Sequence, residues 1–415
     1  MKLVVQVKLM PTPEQAAALG ATLRACNQAA CRVSEVAFEN RCFRNFALRK
    51  HVYAGLKDSG LGAQAAQHVI KKTCDAYTAL RGSIKAGQLG QAGSKRRAEA
   101  EGKPIVFRPD AAQPYDDRML SWQHDAGTVS IWTITGRLKN VAFTGSPEQL
   151  KRLREYRRGE SDLVQRDGMW FLYAVCDVPE KDSNREPSGW LGVDLGIVNI
   201  ATTSDGALMA GRRLNRYRKR QQDLRTKLQA KGTQSARRVL KRQRRKETRF
   251  VTDTNHCISK SIVAEAARTG RGIALEELKG IRERVRLRKP QRAAVHSWSF
   301  DQLGQFILYK AALAGVLVLQ VDPAYSSQEC AECHHTEKRN RPTQAVFFCR
   351  GCGVVAHADR NASRNLSARA ARVWDSGAQS TVPAASTTDT PPDTDVTPQP
   401  VAGTHRKPGR SRLGS

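Results

Sequence analysis

The chain has 415 residues, enough for two to four folded units at roughly 100–200 residues each. Lys and Arg number 69 against 39 Asp and Glu, a formal charge of +30. Such an excess repels itself unless a polyanion neutralises it, so nucleic acid is the expected partner, and the spread of charge along the chain argues against a membrane surface.

From the N-terminus, Lys2 to Leu9 alternates apolar and polar residues like a strand and lacks the long apolar run of a signal peptide. No segment reaches the roughly 18 apolar residues of a spanning helix, so the expected location is the cytoplasm, in association with the nucleoid. Thr12 followed by Pro13 and Glu14 reads as a helix start. Apolar and small residues then recur every three or four positions (Leu19, Leu23, Cys26, Ala30, Val33), which predicts helices to about Leu80. Residues 94–103 form a charged break. From 104 to 180 the pattern is β-rich, with Ile105-Val106-Phe107, Thr128 to Trp132, Val141-Ala142-Phe143 and Trp170 to Val175 as strands. The opening strand is expected to join that sheet. Residues 1–12 and 104–180 then make one β-barrel-like module, and 13–103 is a helical insertion into it. A polar linker follows over 180–188. The tail over 374–415, rich in Thr, Pro, Ser and Asp, buries too little apolar surface to fold.

Three acids stand out after the linker. In Trp190-Leu191-Gly192-Val193-Asp194-Leu195-Gly196, a strand puts Leu191, Val193 and Leu195 on one face. Asp194 falls on the other face with two glycines, a bare surface that a phosphate backbone could approach. In Gly272-Ile273-Ala274-Leu275-Glu276, Glu276 emerges beside Ala274 in the same manner, with Glu277 turned to the opposite face. Asp359 opens a helix whose inner side carries Ala362, Leu366 and Ala370. Each acid alone has an ordinary reading as a solvated turn, an exposed strand end or a helix cap. Together they suit phosphodiester hydrolysis. Two divalent ions about 3.5–4 Å apart activate water and neutralise the leaving oxyanion, and hard Mg²⁺ prefers carboxylates.

Six of the ten cysteines are scattered. The other four form two CxxC pairs, Cys330/Cys333 and Cys349/Cys352. Two pairs at this spacing predict one closed, tetrahedral, structural Zn²⁺ site in a reducing compartment. His334 and His335 follow the first pair.

Between Arg212 and Arg249 basic residues dominate. Arg212, Arg213, Arg216, Arg218, Lys219 and Arg220 precede a break at Gly232; Arg238, Lys241, Arg242 and Arg245 follow it. Like charges three or four apart destabilise an isolated helix, whereas phosphates stabilise it, so these residues are candidate nucleic-acid contacts. A second basic run covers Arg282 to Arg292.

The order Gly192-Val193-Asp194-Leu195-Gly196, Leu275-Glu276-Glu277-Leu278-Lys279, four cysteines, then Ala358-Asp359-Arg360-Asn361-Ala362-Ser363-Arg364-Asn365 resembles the TnpB family. These are transposon-encoded, RNA-guided nucleases related to compact type V CRISPR effectors. Supporting matches are Asn255-His256-Cys257-Ile258-Ser259-Lys260, Trp298-Ser299-Phe300-Asp301-Gln302-Leu303 and Val321-Asp322-Pro323-Ala324-Tyr325-Ser326. The resemblance is strong over about 188–372 and weak near the N-terminus. It implies an α+β multidomain fold, with an RNase H-like (RuvC) α/β nuclease core over 188–328 and 354–373. A zinc ribbon over 329–353 is inserted in that core, and the β-module before it is wedge-like. It further implies that Asp194, Glu276 and Asp359 hold Mg²⁺ or Mn²⁺ and that the ribbon helps load DNA. The partners would be a guide RNA and a double-stranded DNA target, with no small-molecule cofactor. The alternatives are an accessory or regulatory nucleic-acid-binding protein of transposition and an RNA-guided repressor that does not cut. The presence of all three acids argues against the repressor. The lack of a His-hydrophobe-His pair with a downstream tyrosine argues against a strand-transferring transposase.

Overall fold

The computed structural model describes residues 1–183, 186–277 and 300–377; the basic run 282–292 and the tail from 378 lie outside them. The chain divides after Glu180 into two compact units, each an α+β assembly.

The first unit opens with β1 (Lys2–Met10) and α1 (Pro13–Glu39). Thr12 caps α1 through a reciprocal box with Gln15, and Pro13 sits in the first turn, so two otherwise orphaned N–H groups find partners. Then come α2 (Asn45–Asp58), α3 (Ala63–Lys85) and α4 (Lys95–Glu101). Next are β2 (Gln113–Tyr115), β3 (Leu120–Gln123), β4 (Thr128–Thr133), β5 (Gly136–Thr144), α5 (Pro147–Tyr156), β6 (Arg157–Arg166) and β7 (Met169–Asp177). All seven strands form one antiparallel sheet in the order β2-β6-β7-β1-β5-β4-β3. The chain thus leaves the sheet after β1, builds four helices and returns to it.

Two local expectations fail here. Residues 94–103 are not a plain break: Ser94 precedes a short helix supported by Arg97–Glu101 at 3.1 Å and Lys103–Glu99 at 2.8 Å, each four residues apart. Ile105 to Phe107 joins no sheet. Side chains of the helices take its backbone instead, with Ile105 N donating to Tyr77 OH at 3.4 Å and Phe107 N to Cys31 Sγ at 3.2 Å.

The second unit is built on β8 (Trp190–Asp194), β9 (Asn199–Thr203), β10 (Leu208–Ala210), β11 (Gly272–Glu276) and β12 (Val318–Val321). Their order is β10-β9-β8-β11-β12, with β8, β11 and β12 parallel and β9 and β10 antiparallel. Parallel strands need long crossovers. The crossover from the β9–β10 hairpin to β11 is made by α6 (Arg212–Lys231) and α7 (Gln234–Arg268). Helix α8 (Phe300–Ala314) precedes β12, and α9 (Ala358–Asp375) closes the unit. Between β12 and α9 lie a 3₁₀ turn (Lys338–Asn340) and the hairpin β13 (Val346–Phe348)–β14 (Val355–His357).

The period of two along β8 and β11 decides which helix covers which face. Leu191, Val193, Ile273 and Leu275 pack with Ile262, Val263 and Ala266 of α7 and Leu303, Ile307 and Ala311 of α8. On the other face Ala274 and Leu319 pack with Leu366 and Ala370 of α9. Fully burying each such large aliphatic side chain contributes about 1.5–3 kcal/mol, so the sheet is held from both sides. No helix among the described residues is long and apolar enough to cross a membrane.

Candidate functional site

Asp194 and Glu276 are the last residues of neighbouring parallel strands. The register pairs Leu275 with Val193, so the two acids leave the sheet side by side. Both lie on the face that α9 covers, since each is two residues beyond a residue of that face, Gly192 and Ala274. Asp359 stands in the first turn of α9, where His357 Nδ1 accepts from Asp359 N at 3.3 Å and caps the helix. Strand periodicity therefore puts two acids at one sheet end, and the helix start adds the third.

Electrostatics ties them together. Burial, and then the charge of Asp359, push Asp194 up to about 7 against the pull of Arg341. Burial, and then Asp194, push Glu276 up to about 8, although Leu195 N donates to Glu276 Oε1 at 3.0 Å and opposes the rise. Glu276 is 8% exposed, whereas its neighbour Glu277 is exposed. Desolvated acids that repel one another are expensive as anions, and a bound cation would relieve that cost. Asp359 is engaged at both oxygens: Asn199 Nδ2 donates to Oδ2 at 2.9 Å and Arg341 Nη2 to Oδ1 at 3.3 Å. Neither Asn199 nor Arg341 was legible from the sequence, because each meets Asp359 only through the fold.

The bare strand face at Gly192 is filled by protein, which corrects the expectation that phosphate approaches there. A Cβ on Gly192 would lie 1.8 Å from Ser363 O and 2.8 Å from Ser367 N, both backbone atoms of α9. Ser367 Oγ also donates to Trp190 O at 2.6 Å. Glycine in β8 is what lets the helix carrying Asp359 lie directly on the strand carrying Asp194.

The four cysteines converge. The sulfurs of Cys330, Cys333, Cys349 and Cys352 all lie within 4.8 Å of one another, so this set could hold a metal ion. Among the described residues it is the one group of three or more metal-ligating side chains drawn together so tightly; the three acids are more widely spaced. The histidines stay outside the set: His334 Nδ1 is 3.3 Å from Glu329 Oε1 and His335 Nε2 is 3.4 Å from Glu337 Oε2. His334 adopts φ +62°, a region where a glycine would be unstrained. All ten cysteines are free.

Helix α9 joins this module to the acids. Asn361 Nδ2 donates to Glu329 O at 2.7 Å, and Asn361 Oδ1 accepts from Ala331 N at 3.0 Å. One turn later Asn365 Nδ2 donates to Ser326 O at 2.8 Å and to Glu329 O at 2.7 Å. Arg364 pairs with Glu332 at 2.6 Å. In Asp359-Arg360-Asn361-Ala362-Ser363-Arg364-Asn365, the asparagines thus clamp the first cysteine turn while Ser363 meets Gly192.

The basic helices break as the sequence suggests, with Gly232 at φ +63° ending α6 and Thr233 capping α7. Arg212, Arg213, Arg216, Lys219, Arg220, Arg238, Lys241 and Arg242 are exposed. Arg218 and Arg245 are half-buried; burial lowers Arg218 against the pull of Glu247. Those two have protein partners, so the exposed eight are the better phosphate candidates.

Known proteins resemble parts of this chain. Residues 173–279 match the family model described as a probable transposase (OrfB_IS605), and residues 300–366 match the Cas12f1-like TNB domain. The chain is 31% identical over 231 residues to a CRISPR-associated endodeoxyribonuclease Cas12f1 of Sulfoacidibacillus thermotolerans, covering 51% of this chain and 53% of that one. It is 29% identical to a TnpB-like protein of Methanocaldococcus jannaschii, covering 60% and 92%. The chain spans about half the length of the Cas12f1 relative. In fold it is similar to a Cas12f1 solved with sgRNA and target DNA, with a TM-score of 0.51 at 13% identity over 84% of this chain and 82% of that one. Residues 173–279 and 300–366 are thus similar to a transposon-encoded family and to Cas12f1-like proteins, with TnpB-like and Cas12f1 proteins among the relatives.

Proposed function

We propose that this chain is an RNA-guided DNA endonuclease of a transposable element, with an RNase H-like (RuvC) core cutting phosphodiester bonds by a two-metal route. The observation that carries this reading is the trio itself. Asp194 and Glu276 end adjacent strands, Asp359 starts the helix packed on them, and Asp194 interacts electrostatically with both of the others. The donor set is all carboxylate, which fits Mg²⁺ or Mn²⁺. Ions held by Asp194, Glu276 and Asp359 would lower the pKa of the attacking water and neutralise the leaving oxygen.

The chain's own residues do the rest. Leu195 N orients the Glu276 carboxylate, and Asn199 and Arg341 orient that of Asp359. Arg341 also brings a guanidinium beside the acids, where it can meet a phosphate oxygen of the strand to be cut. The exposed basic faces of α6 and α7 would take the backbone of a guide RNA paired to DNA, while base pairing supplies sequence choice. The four cysteines would hold one structural Zn²⁺, with no coordination position open for chemistry.

The test is to purify the protein with its cellular RNA, sequence that RNA, and offer a matching double-stranded DNA with Mg²⁺. The expected result is a discrete structured transcript and guided cleavage that Asp194→Ala, Glu276→Ala and Asp359→Ala each abolish while RNA stays bound. Full cleavage by any of the three variants refutes the site. Random RNA with Asp194-dependent cleavage leaves an unguided nuclease, and RNA-dependent DNA binding without cleavage leaves a repressor.

A further inference from the structure

Where β12 ends, the chain turns through Asp322, Pro323 and Ala324 to Tyr325. Tyr325 has φ +61° and is 67% exposed. A residue with a Cβ is strained there, and Gly or Asn would relieve it. Packing does not explain an aromatic ring that remains in water. Strain of this kind collects at sites that bind.

The turn that presents the ring is clamped from two sides. Gln328 N and Glu329 N donate to Tyr325 O at 2.8 and 2.9 Å. Arg369 of α9 donates through Nη1 to Asp322 O at 2.6 Å and Ala324 O at 2.8 Å, and its Nη2 pairs with Glu329 Oε2 at 2.5 Å. Beside Tyr325 lies an open cleft of about 510 Å³ lined also by Val321, Val373, Asp322 and Arg372. The Arg369 guanidinium is taken up by the turn. Arg372 is exposed, with Nη2 3.4 Å from His334 Nε2.

We propose that this cleft is a base-stacking subsite for one unpaired nucleotide of a single-stranded nucleic acid, with Tyr325 as the platform and Arg372 as the phosphate contact. An aromatic face, two valine walls and one exposed cation match the parts of a nucleotide: a flat apolar base and an anionic link. The Asp322 carboxylate repels phosphate, so it leaves the base on its own side and the backbone toward Arg372. A paired base keeps both faces covered, so the occupant is unpaired. The location gives the subsite a purpose that rests on the nuclease reading. Val321 pairs with Glu276, so the turn leaves the sheet about 4.8 Å, one strand spacing, from an acid of the trio. Arg372 lies 13 residues, about 20 Å, farther along α9 than Asp359, so a base seated there would hold its strand a few nucleotides from the site of cutting.

The test uses the zinc-loaded full chain without Mg²⁺ and a fluorescein-labelled single-stranded oligothymidylate. Anisotropy is read at raised salt, where the phosphate contribution is suppressed. Tyr325→Asn keeps the left-handed turn comfortable and is expected to be as stable as the parent or more so, yet to bind about 5- to 100-fold more weakly. Tyr325→Trp is expected to restore binding. Ultraviolet crosslinking to an oligonucleotide carrying 5-iodouracil is expected to mark the peptide that contains Tyr325 in the parent and in Asp194→Ala. Unchanged affinity in Tyr325→Asn, or crosslinks confined to other peptides, overturns the subsite even if Asp194-dependent cleavage is intact. Crosslinking at Tyr325 without such cleavage in the parent keeps the subsite and removes the nuclease.

Discussion

The contact between Gly192 and α9 makes the sharpest mechanical prediction. In Gly192→Ala the new methyl would stand 1.8 Å from Ser363 O and 2.9 Å from Ser363 C, and Cβ contacts below 3.0 Å essentially never occur. Neither partner is a flexible side chain, so strand and helix must separate locally by about 1.2 Å. Overpacking a core typically costs about 1–3 kcal/mol, and a clash between two backbones belongs at the upper end. At roughly 2–4 °C per kcal/mol for a unit of this size, the melting temperature should fall by about 6–12 °C. Ser363 is one helical turn from Asp359, so the same shift moves one acid away from the other two. Misplacement by about 1 Å costs on the order of 100-fold in rate. Gly304→Ala in α8 is the control, because its Cβ would meet only Leu275 Cδ2 at 3.8 Å, and Ala favours a helix by about 1 kcal/mol. Thermal unfolding, zinc content and Mg²⁺-dependent cleavage by the RNA-bound protein would be measured on both variants. A Gly192→Ala protein that melts and cuts like the parent would refute the argument that glycine sets the spacing of the acids.

Three further outcomes follow from the same geometry. Burial and mutual repulsion push Asp194 up to about 7 and Glu276 up to about 8, well above the usual carboxylate range. The folded state therefore holds extra protons between about pH 4 and 8, and in Mg²⁺-free buffer stability should fall as pH rises through that window, by an amount on the order of a few kcal/mol. Mg²⁺ or Asp194→Asn should flatten the profile, and an unchanged slope in Asp194→Asn would count against the coupling. Asn365→Ala strands the backbone carbonyl of Ser326 and leaves Glu329 O with Asn361 alone, at about 1–3 kcal/mol for the buried group left unsatisfied. Urea unfolding should show that loss, and zinc release to a chelator should quicken; wild-type values for both would dismiss the clamp. Elemental analysis of fresh protein should find one zinc per chain, lost in Cys349→Ser, and a metal-free parent would overturn the cysteine reading.

What the sequence made legible was local or periodic. Alternation in Leu191, Val193 and Leu195 fixed the buried face of β8 and hence the side on which Asp194 emerges; the same logic served Glu276. Paired cysteines and the start signal at Thr12 were equally plain, since each depends on residues a few positions apart. The failures lie where distant partners intervene. Ile105 to Phe107 has strand-forming residues, but Cys31 and Tyr77 take its backbone before any strand can. The helix at Lys95–Glu101 rests on charge pairs that composition alone read as a break. Gly192 looked like room for a substrate because nothing local says that Ser363, far along the chain, fills it. Arg341 and Asn199 carried no signal for the same reason: 18 and 160 residues separate them from Asp359.

These long-range contacts explain why a cysteine module sits between the second acid and the third. Helix α9 is held on one side by the sheet, through Gly192 and Ser367, and on the other by the first cysteine turn, through Asn361, Arg364 and Asn365. Arg341, carried between the two cysteine pairs, reaches back to the acid that opens the same helix. A metal holding the four sulfurs would thus also hold both the position of Asp359 and the cation beside it, without touching either. The module need not contact substrate to matter for chemistry, because the helix it grips is one of the three supports of the acidic site. On the function proposed above, loosening that grip should damage cutting before it unfolds the sheet, since Asp194 and Glu276 are fixed by strand pairing and only Asp359 depends on the helix.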